Sequence, residues 1–248
     1  MKVFSELAIE SAESAGRGVC IDKGKVSPRL RCLEITVEKE EGTQERYCTL
    51  LTEGDLLAED DLAEEMSQEV TRILFSFLSK NVRRVLAVGL GNPSTVVDSL
   101  GCETVKRLSA GERKRGRLAS FIPSVYGMTG LETASMVRGV AKEFCPDLVL
   151  TVDTLSTRRA ERLVRAVQIG VGGIVPGGGV GNPRDKLSQK TVGAPVLSVG
   201  VPLLARADAC ASLPAGLVVT PKEIDLLVPL FARILSDGVE RALRKKLG

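Results

Sequence analysis

The order of strand-like and helix-like segments predicts an α/β fold with a mixed, mostly parallel central sheet flanked by helices. From residue 83 onward, short apolar runs typical of buried strands alternate with amphipathic segments at helical spacing. Upstream, two runs of alternating apolar and polar residues predict an N-terminal β-hairpin. No Pro- or Ser-rich linker divides the 248 residues, of which 44% are hydrophobic, so we predict a single domain.

The elements follow from local pattern. Residues 32–51 alternate on both sides of a charged turn that contains glycine, which predicts the hairpin. Apolar residues at helical spacing predict a helix from Leu57 to Lys80. The run "RRVLAVGLGN" predicts a buried strand at 83–92 that ends in a glycine turn. The same criteria predict helices at 94–108 and 130–144 and strands at 147–152 and 195–201.

A C-terminal helix is predicted from a capping box. Thr220 is placed at the N-cap, Pro221 at the first helical position and Glu223 at the third. Pro229 is expected to kink this helix. Its apolar stripe is expected to dock on the sheet; the stripe comprises Ile224, Leu227, Phe231, Leu235 and Val239.

Composition excludes several classes of function. A net charge of +3 is too small to indicate nucleic acid or an acidic membrane surface as a partner. No apolar run reaches the length of a membrane span, and acids interrupt the N-terminus where a signal peptide needs an apolar core. Six scattered cysteines without a C-x-x-C pair favour a reducing, cytoplasmic setting and indicate neither a zinc cage nor a disulfide framework. We expect no metal and no cofactor.

The sequence contains no histidine. Ser-His-Asp and Cys-His hydrolysis, and histidine-ligated zinc, are therefore excluded. Acid–base chemistry has to use Asp, Glu, Lys, Tyr or Cys.

Two aspartates are placed where strands end, which is where open α/β sheets bind ligands. Asp98 follows the predicted strand that ends at Gly91 and Asn92, and Asp153 directly follows the strand at 147–152. Each has a structural alternative: Asp153 as a helix N-cap or a partner of a nearby arginine, and Asp98 as a solvated helix residue. Facing each other across a crevice, they form a carboxylate pair whose pKa values separate, so that one acts as base and the other as acid.

A glycine-rich loop at 170–186 follows the second aspartate. Its spacing matches neither the Walker motif nor GxGxxG, so a phosphate cradle is weakly supported. A tight loop beside a packed core is one alternative, and backbone N–H groups that grip a peptide or a developing oxyanion are another. Under the last alternative we expect substrate-positioning residues on both loops: Gly91, Asn92, Gly178, Gly179, Gly181 and Asn182.

Several ordered blocks resemble the germination proteases of spore-forming bacteria. They are "VGLGN…DSLG", "GMTGLETASMVRGV", "PDLVLTVDTLSTRRAERL", "QIGVGGIVPGGGVGN", "GAPVLSVGVP" and "VTPKEID", which together cover most of residues 83–228. The resemblance implies a fold similar to the phosphorylase/hydrolase-like fold of hydrogenase-maturation proteases. It also implies an atypical aspartic endopeptidase whose catalytic aspartates are Asp98 and Asp153.

The resemblance further implies a zymogen. "SELAIE" at 5–10 is similar to the family's self-processing site, so residues 1–6 are expected to be a short propeptide, 7–248 the peptidase domain, and Glu6–Leu7 the cleaved bond. Without the family, the same residues predict the start of an amphipathic helix. Implied substrates are the small acid-soluble spore proteins, cut after an acidic residue at germination. The implied location is the cytoplasm of the forespore or spore core, and the implied assembly is a homo-oligomer without nucleic-acid or membrane partners.

The chain departs from the family pattern at Pro93, where an aromatic is usual, at Val175, where a histidine is usual, and in the short segment from Leu203 to Val219. Alternative functions follow from these departures. One is a non-catalytic binding or scaffold protein that keeps the fold. Another is a hydrogenase-maturation-type peptidase, which normally enlists a bound nickel and a histidine. A nucleotide-binding enzyme built on the glycine loop is the most distant.

Overall fold

The structure is a computed structural model that describes residues 6–15, 18–38, 44–108, 116–178, 184–207 and 217–247. Within these ranges nine strands form one open sheet in the order β1-β2-β3-β7-β8-β6-β4-β5, with β9 paired to β8. The strands are β1 (Gly18–Lys25), β2 (Leu30–Glu38), β3 (Gln44–Thr52), β4 (Val85–Gly89), β5 (Leu118–Phe121), β6 (Leu148–Thr157), β7 (Ala166–Gly170), β8 (Val196–Arg206) and β9 (Val218–Val219). The helices are α1 (Ala8–Ala15), α2 (Asp60–Phe77), α3 (Leu100–Arg107), α4 (Tyr126–Thr129), α5 (Thr133–Phe144), α6 (Gln189–Val192) and α7 (Ile224–Leu247), with 3₁₀ turns at Val96–Asp98 and Ala160–Arg162.

The sheet has a parallel half and an antiparallel half. Strands β5, β4, β6 and β8 run parallel to one another, as expected where helical crossovers join consecutive strands. Strands β1, β2, β3 and β7 pair antiparallel, and β7 joins the two halves by pairing antiparallel with β8. The α/β prediction with helices on a mixed sheet is confirmed.

The predicted N-terminal hairpin is also confirmed. Strands β2 and β3 pair in continuous antiparallel register from Leu30 opposite Thr52 to Glu38 opposite Gln44. The alternating apolar residues of β2, such as Ile35, face the core that includes α1, whereas Leu50 and its neighbours on the opposite face pack in the core that includes α2. Strand β1, which the sequence did not predict, extends the hairpin to a third strand.

Helices cover both faces of the sheet. On one face α2, α3 and α7 enclose a core that contains Met66 and Phe231. On the other face α1 and α5 pack over a smaller core that contains Leu7 and Val137. Among the described residues, none of the helices is both long and apolar enough to cross a membrane.

The C-terminal helix starts later than its capping box predicts. Its α-helical residues begin at Ile224, and the hydroxyl of Thr220 donates to the carbonyl of Leu203 at 3.0 Å, so it serves the β8–β9 connection. From there the helix is uninterrupted to Leu247 with Pro229 inside it. The predicted apolar stripe packs against the core: Leu227, Phe231, Leu235 and Val239 are buried and Ile224 is partly buried.

Two predicted boundaries change near the site. The segment at 94–108 is not one helix, because Asp98 closes a 3₁₀ turn and α3 begins only at Leu100. The strand predicted at 147–152 continues through Asp153 to Thr157, since β8 pairs with it along that whole length. Asp153 is therefore a residue within a strand rather than a helix cap.

Candidate functional site

The sheet brings the loop after β4 next to Asp153. Strands β4 and β6 are parallel neighbours with Gly89 opposite Val152. The N–H of Leu90 continues this pairing by donating to the carbonyl of Val152 at 2.9 Å. Gly91 and Asn92 therefore start their loop at the level of Asp153, at the carboxyl edge of the parallel half.

The chain turns tightly between Gly91 and Asp98, which places Asp98 at the same edge. Gly91 has a φ of 102° and leaves no room for a side chain, because a Cβ there would overlap the backbone carbonyl of Asp98. The N–H of Asn92 donates to Asp98 Oδ2 at 2.8 Å. The hydroxyl of Thr154 donates to the carbonyl of Val97 at 2.8 Å, so the residue next to Asp153 fixes the turn that carries Asp98. These contacts bring the two predicted aspartates to one place.

The two carboxyl groups have different surroundings. Asp153 is only 5% exposed and accepts a hydrogen bond from the N–H of Thr154 at 2.8 Å. Burial, and then the negative charges of Glu6 and Asp98, raise its pKa well above the ordinary value for aspartate. Burial also raises the pKa of Asp98, but the N–H of Asn92 opposes that shift. Asp153 therefore favours the protonated form more strongly than Asp98 does, and Asp98 ionises more readily.

The bond predicted to be processed lies at the same edge. Glu6 accepts a hydrogen bond on Oε2 from the N–H of Ser156 at 2.7 Å, and Leu7 is fully buried. Gln168 contacts both sides of this bond: its Nε2 donates to the carbonyl of Glu6 at 3.1 Å, and its Oε1 accepts from the N–H of Ala8 at 2.6 Å. The amphipathic helix predicted for this region is present as α1, directly after the Glu6–Leu7 bond.

Glu10 anchors the start of α1 through contacts separate from those of Glu6. Its carboxylate is 2% exposed and accepts from the hydroxyl of Thr157 at 2.5 Å and the N–H of Arg158 at 2.8 Å. A guanidinium nitrogen of Arg162 lies 3.3 Å from Glu10 Oε1. The segment from Glu6 to Glu10 is therefore held along β6 at both ends.

The glycine loop is closely packed where the structure describes it. At Gly172 the space of a Cβ is taken by the Tyr47 hydroxyl, and at Gly173 the backbone lies against the carbonyl of Leu187. Gly178 faces the Glu6 carboxylate, since a Cβ there would lie 3.1 Å from Glu6 Oε1. The expected positioning residues Gly179, Gly181 and Asn182 lie outside the described residues.

Cys102 lies beneath the site without the features of a nucleophile. Its thiol is buried against the carbonyl groups of Gly89, Leu90 and Gly91. Burial raises its pKa to about 11, so it is a neutral thiol near pH 7. Within the described ranges no cluster of His, Cys, Asp and Glu is arranged to hold a metal ion.

Sequence reasoning missed five residues of this site: Ser156, Thr154, Thr157, Arg162 and Gln168. Gln168 carried the clearest overlooked signal, because it is a polar residue in the otherwise uncharged, apolar run "AVQIG". A buried amide in such a run needs partners, which the structure supplies from Glu6 and Ala8.

Comparisons of the sequence with a family model and with individual proteins agree on one family. A family model described as "Germination protease" matches residues 6–214. The chain is 29% identical to the germination protease of Clostridium acetobutylicum, with 98% of this chain and 93% of the relative aligned. It is 30% identical to that of Caldanaerobacter subterraneus subsp. tengcongensis, with 99% and 95% aligned. Against that of Bacillus subtilis it is 32% identical, with 85% and 60% aligned.

The first of these alignments extends over 311 positions, more than the 248 residues of the chain, so it contains gaps in this chain. The family model spans the carboxylate edge, the Glu6–Leu7 bond and both loops described above. The chain belongs to the germination protease family, and it is a peptidase.

Proposed function

We propose that the chain is a self-processing aspartic endopeptidase that hydrolyses small acid-soluble spore proteins after an acidic residue during spore germination. The observation that carries the proposal is the position of the Glu6–Leu7 bond at the edge where Asp98 and Asp153 meet. Glu6 is close enough for its charge to raise the pKa of Asp153, and the carbonyl of Glu6 is held by Gln168 at 3.1 Å. The first substrate of the site is then the chain's own N-terminal segment.

The different surroundings of the aspartates support different roles for them. Ionised Asp98 takes a proton from water as the water oxygen bonds to the carbonyl carbon of Glu6. Protonated Asp153 gives its proton to the nitrogen of Leu7 as the C–N bond breaks. The products are a new α-carboxyl group on Glu6 and a new α-amino group on Leu7. Residues 1–6 are the propeptide released.

The same site accounts for cleavage after acidic residues. The Glu6 carboxylate is received by the N–H of Ser156 and lies against Gly178, where a larger residue would approach it closely. An acidic side chain of a protein substrate takes this position once the propeptide has left. Residues 7–248 form the mature domain, which acts as a homo-oligomer in the cytoplasm of the forespore or spore core.

The proposal is tested by following the intact mass of the purified full-length chain. We expect loss of residues 1–6 in the wild type and a decrease in rate of about 10²- to 10⁴-fold in Asp98→Asn and Asp153→Asn, the usual range for removing an acid–base group. Asp225→Asn, an exposed aspartate on α7, is the matched control and keeps the wild-type rate.

A second assay separates cleavage within one chain from cleavage between chains. Wild-type enzyme is mixed with Asp153→Asn chain and, separately, with a purified small acid-soluble spore protein. We expect cuts after acidic residues in the spore protein. Cleavage that continues unchanged in both aspartate variants contradicts the carboxylate pair.

A further inference from the structure

Gln168 occupies a position in the sheet that aligns it with Asp153. On neighbouring strands Asp153 is opposite Gly200, and Gly200 is opposite Gln168. Residues directly opposite in a sheet project their side chains to the same face, and two strand spacings amount to about 10 Å between backbones. Gln168 and Asp153 therefore face the same side, separated by a glycine, and the segment that contains Glu6 and Leu7 lies between them and solvent.

The two hydrogen bonds of Gln168 fix which way its amide points. The backbone N–H of Ala8 is a donor only, so the group 2.6 Å from it has to be the side-chain oxygen. The NH₂ group consequently faces the carbonyl oxygen of Glu6 at 3.1 Å. With Gln168 only 8% exposed, this donor is largely shielded from water.

We propose that Gln168 is a further catalytic residue that stabilises the oxyanion formed on the scissile carbonyl. The inference rests on the proposed function, because it takes Glu6–Leu7 as the bond that is cut. When water adds to the carbonyl carbon, negative charge develops on the oxygen that Gln168 contacts. A pre-oriented donor in a buried site stabilises that charge more than it stabilises the neutral carbonyl.

The acidity of the site explains why the donor is an uncharged amide. Glu6, Asp98 and Asp153 are close enough for their charges to interact, so an unassisted oxyanion would meet several carboxyl groups. A lysine or arginine in place of Gln168 would relieve that repulsion, but it would also lower the pKa of Asp153 and remove the proton that the leaving nitrogen needs. A neutral NH₂ group supplies a hydrogen bond and leaves the proton on Asp153.

The alternative role for Gln168 is structural: its amide joins α1 to the sheet. The two roles differ in what limits cleavage. If Gln168 only docks the segment, loss of cleavage follows loss of docking. If it stabilises the oxyanion, cleavage slows even in molecules whose segment remains docked.

The experiment therefore measures rate and docking in the same full-length protein. Self-processing is followed by intact mass, and docking by amide hydrogen exchange of residues 10–15 in α1. The variants are Gln168→Met, which removes donor and acceptor at similar volume, and Gln168→Glu, which keeps an acceptor. Gln68→Met, an exposed position on α2, is the matched control.

We expect Gln168→Met to process about 10²- to 10³-fold more slowly per docked molecule, the range seen when one oxyanion donor is removed. Gln168→Glu is expected to be equally slow near neutral pH and to recover as the pH falls, because a protonated carboxyl regains an O–H donor. Gln68→Met keeps the wild-type rate.

Two results overturn the assignment of Gln168 alone: processing of Gln168→Met within about threefold of wild type, or a rate that falls only in proportion to lost docking. A wild-type chain that processes neither itself nor a spore protein overturns the proposed function and the role of Gln168 with it. The outcomes are distinguishable because the first two require an active wild type.

Discussion

Glu6 and Glu10 belong to one short segment, yet the ionisable groups beside their carboxylates differ: a guanidinium lies beside Glu10, and a carboxyl group lies near Glu6. Glu10 is bound by the hydroxyl of Thr157, the N–H of Arg158 and the guanidinium of Arg162. Glu6 accepts a hydrogen bond from the N–H of Ser156, and its negative charge adds to burial in raising the pKa of Asp153. The Glu10 carboxylate thus lies beside a cation, and the Glu6 carboxylate lies near the carboxyl group of Asp153.

This difference separates holding the segment from cutting it. A buried carboxylate with a cationic partner and hydrogen bonds is stable as long as all partners remain. A carboxylate beside a second carboxyl group disfavours ionisation of that neighbour, and here this effect adds to burial in raising the pKa of Asp153. The Glu10 end therefore adds a cationic contact to the docking of the segment, and the charge of Glu6 adds to burial in keeping a proton on Asp153.

The largest effect is expected from Arg162→Met, which removes the cation at the Glu10 end. Glu10 then loses this cationic partner, and removing one partner of a buried pair costs about 3 kcal/mol. We expect α1 to detach so that Glu10 reaches water, which limits the loss to the docking free energy of the helix. Amide exchange of residues 10–15 should accelerate by more than tenfold, measured in an Asp98→Asn background that keeps the chain uncleaved.

Arg159→Met is the matched control from the same turn. Its side chain is 50% exposed and pairs with Glu161, which is 67% exposed. Exposed pairs contribute about 0.5 kcal/mol or less, so exchange in α1 should change little. Equal effects of the two substitutions would show that Arg162 does not hold Glu10.

A smaller effect is expected from Thr157→Val, which keeps the shape of the side chain and removes the hydroxyl that donates to Glu10. Hydrogen bonds to charged groups contribute about 2 kcal/mol, and we expect that loss in urea unfolding of the Asp98→Asn chain. Thr151→Val is the control on the same strand, where the hydroxyl donates to the neutral hydroxyl of Ser198 at 2.9 Å. It should cost about 1 kcal/mol, the value for a neutral bond. A control loss as large as that of Thr157→Val argues against a charge-assisted bond to Glu10.

The antiparallel hairpin and the long helices were predictable because their patterns are local. Alternation in 32–51 reports a strand pair in which Leu33, Ile35 and Val37 share one apolar face, and the stripe on α7 reports a helix with one buried face. Strand β7 lacks such a pattern, because all five of its residues are buried and the run "AVQIG" has no alternation. Its place between β3 and β8 depends on partners distant in sequence, so it was missed.

The site was predictable to the same extent. Asp98 and Asp153 were selected as candidates because carboxylates after buried strands are unusual, and their position at one edge was predictable because strand ends converge there in a parallel sheet. The contact between Gln168 and Glu6 joins residues far apart in the chain. The ion pair of Glu10 depends on where Arg162 lies after β6. Neither follows from spacing along the sequence.

The smallest effect, Glu6→Gln, tests the Glu6 end. In the Asp98→Asn background, burial and Glu6 remain as the causes that raise the pKa of Asp153. A raised carboxyl pKa stabilises the folded state fully below the ordinary aspartate pKa of about 3.9, and that stability is lost as the pH rises through the folded pKa. Removing the charge of Glu6 lowers the folded pKa and shortens that window.

The loss of unfolding free energy between pH 4 and pH 7 should therefore be smaller in Glu6→Gln than in its parent by about 1 kcal/mol, since one pKa unit corresponds to about 1.4 kcal/mol. The difference between the two pH values is the relevant quantity, because a weaker bond from the N–H of Ser156 acts at both. Glu161→Gln, exposed and distant from Asp153, should leave the pH dependence unchanged. An unchanged pH dependence in Glu6→Gln as well would mean that burial alone keeps the proton on Asp153 and that the charge of Glu6 has no part in it.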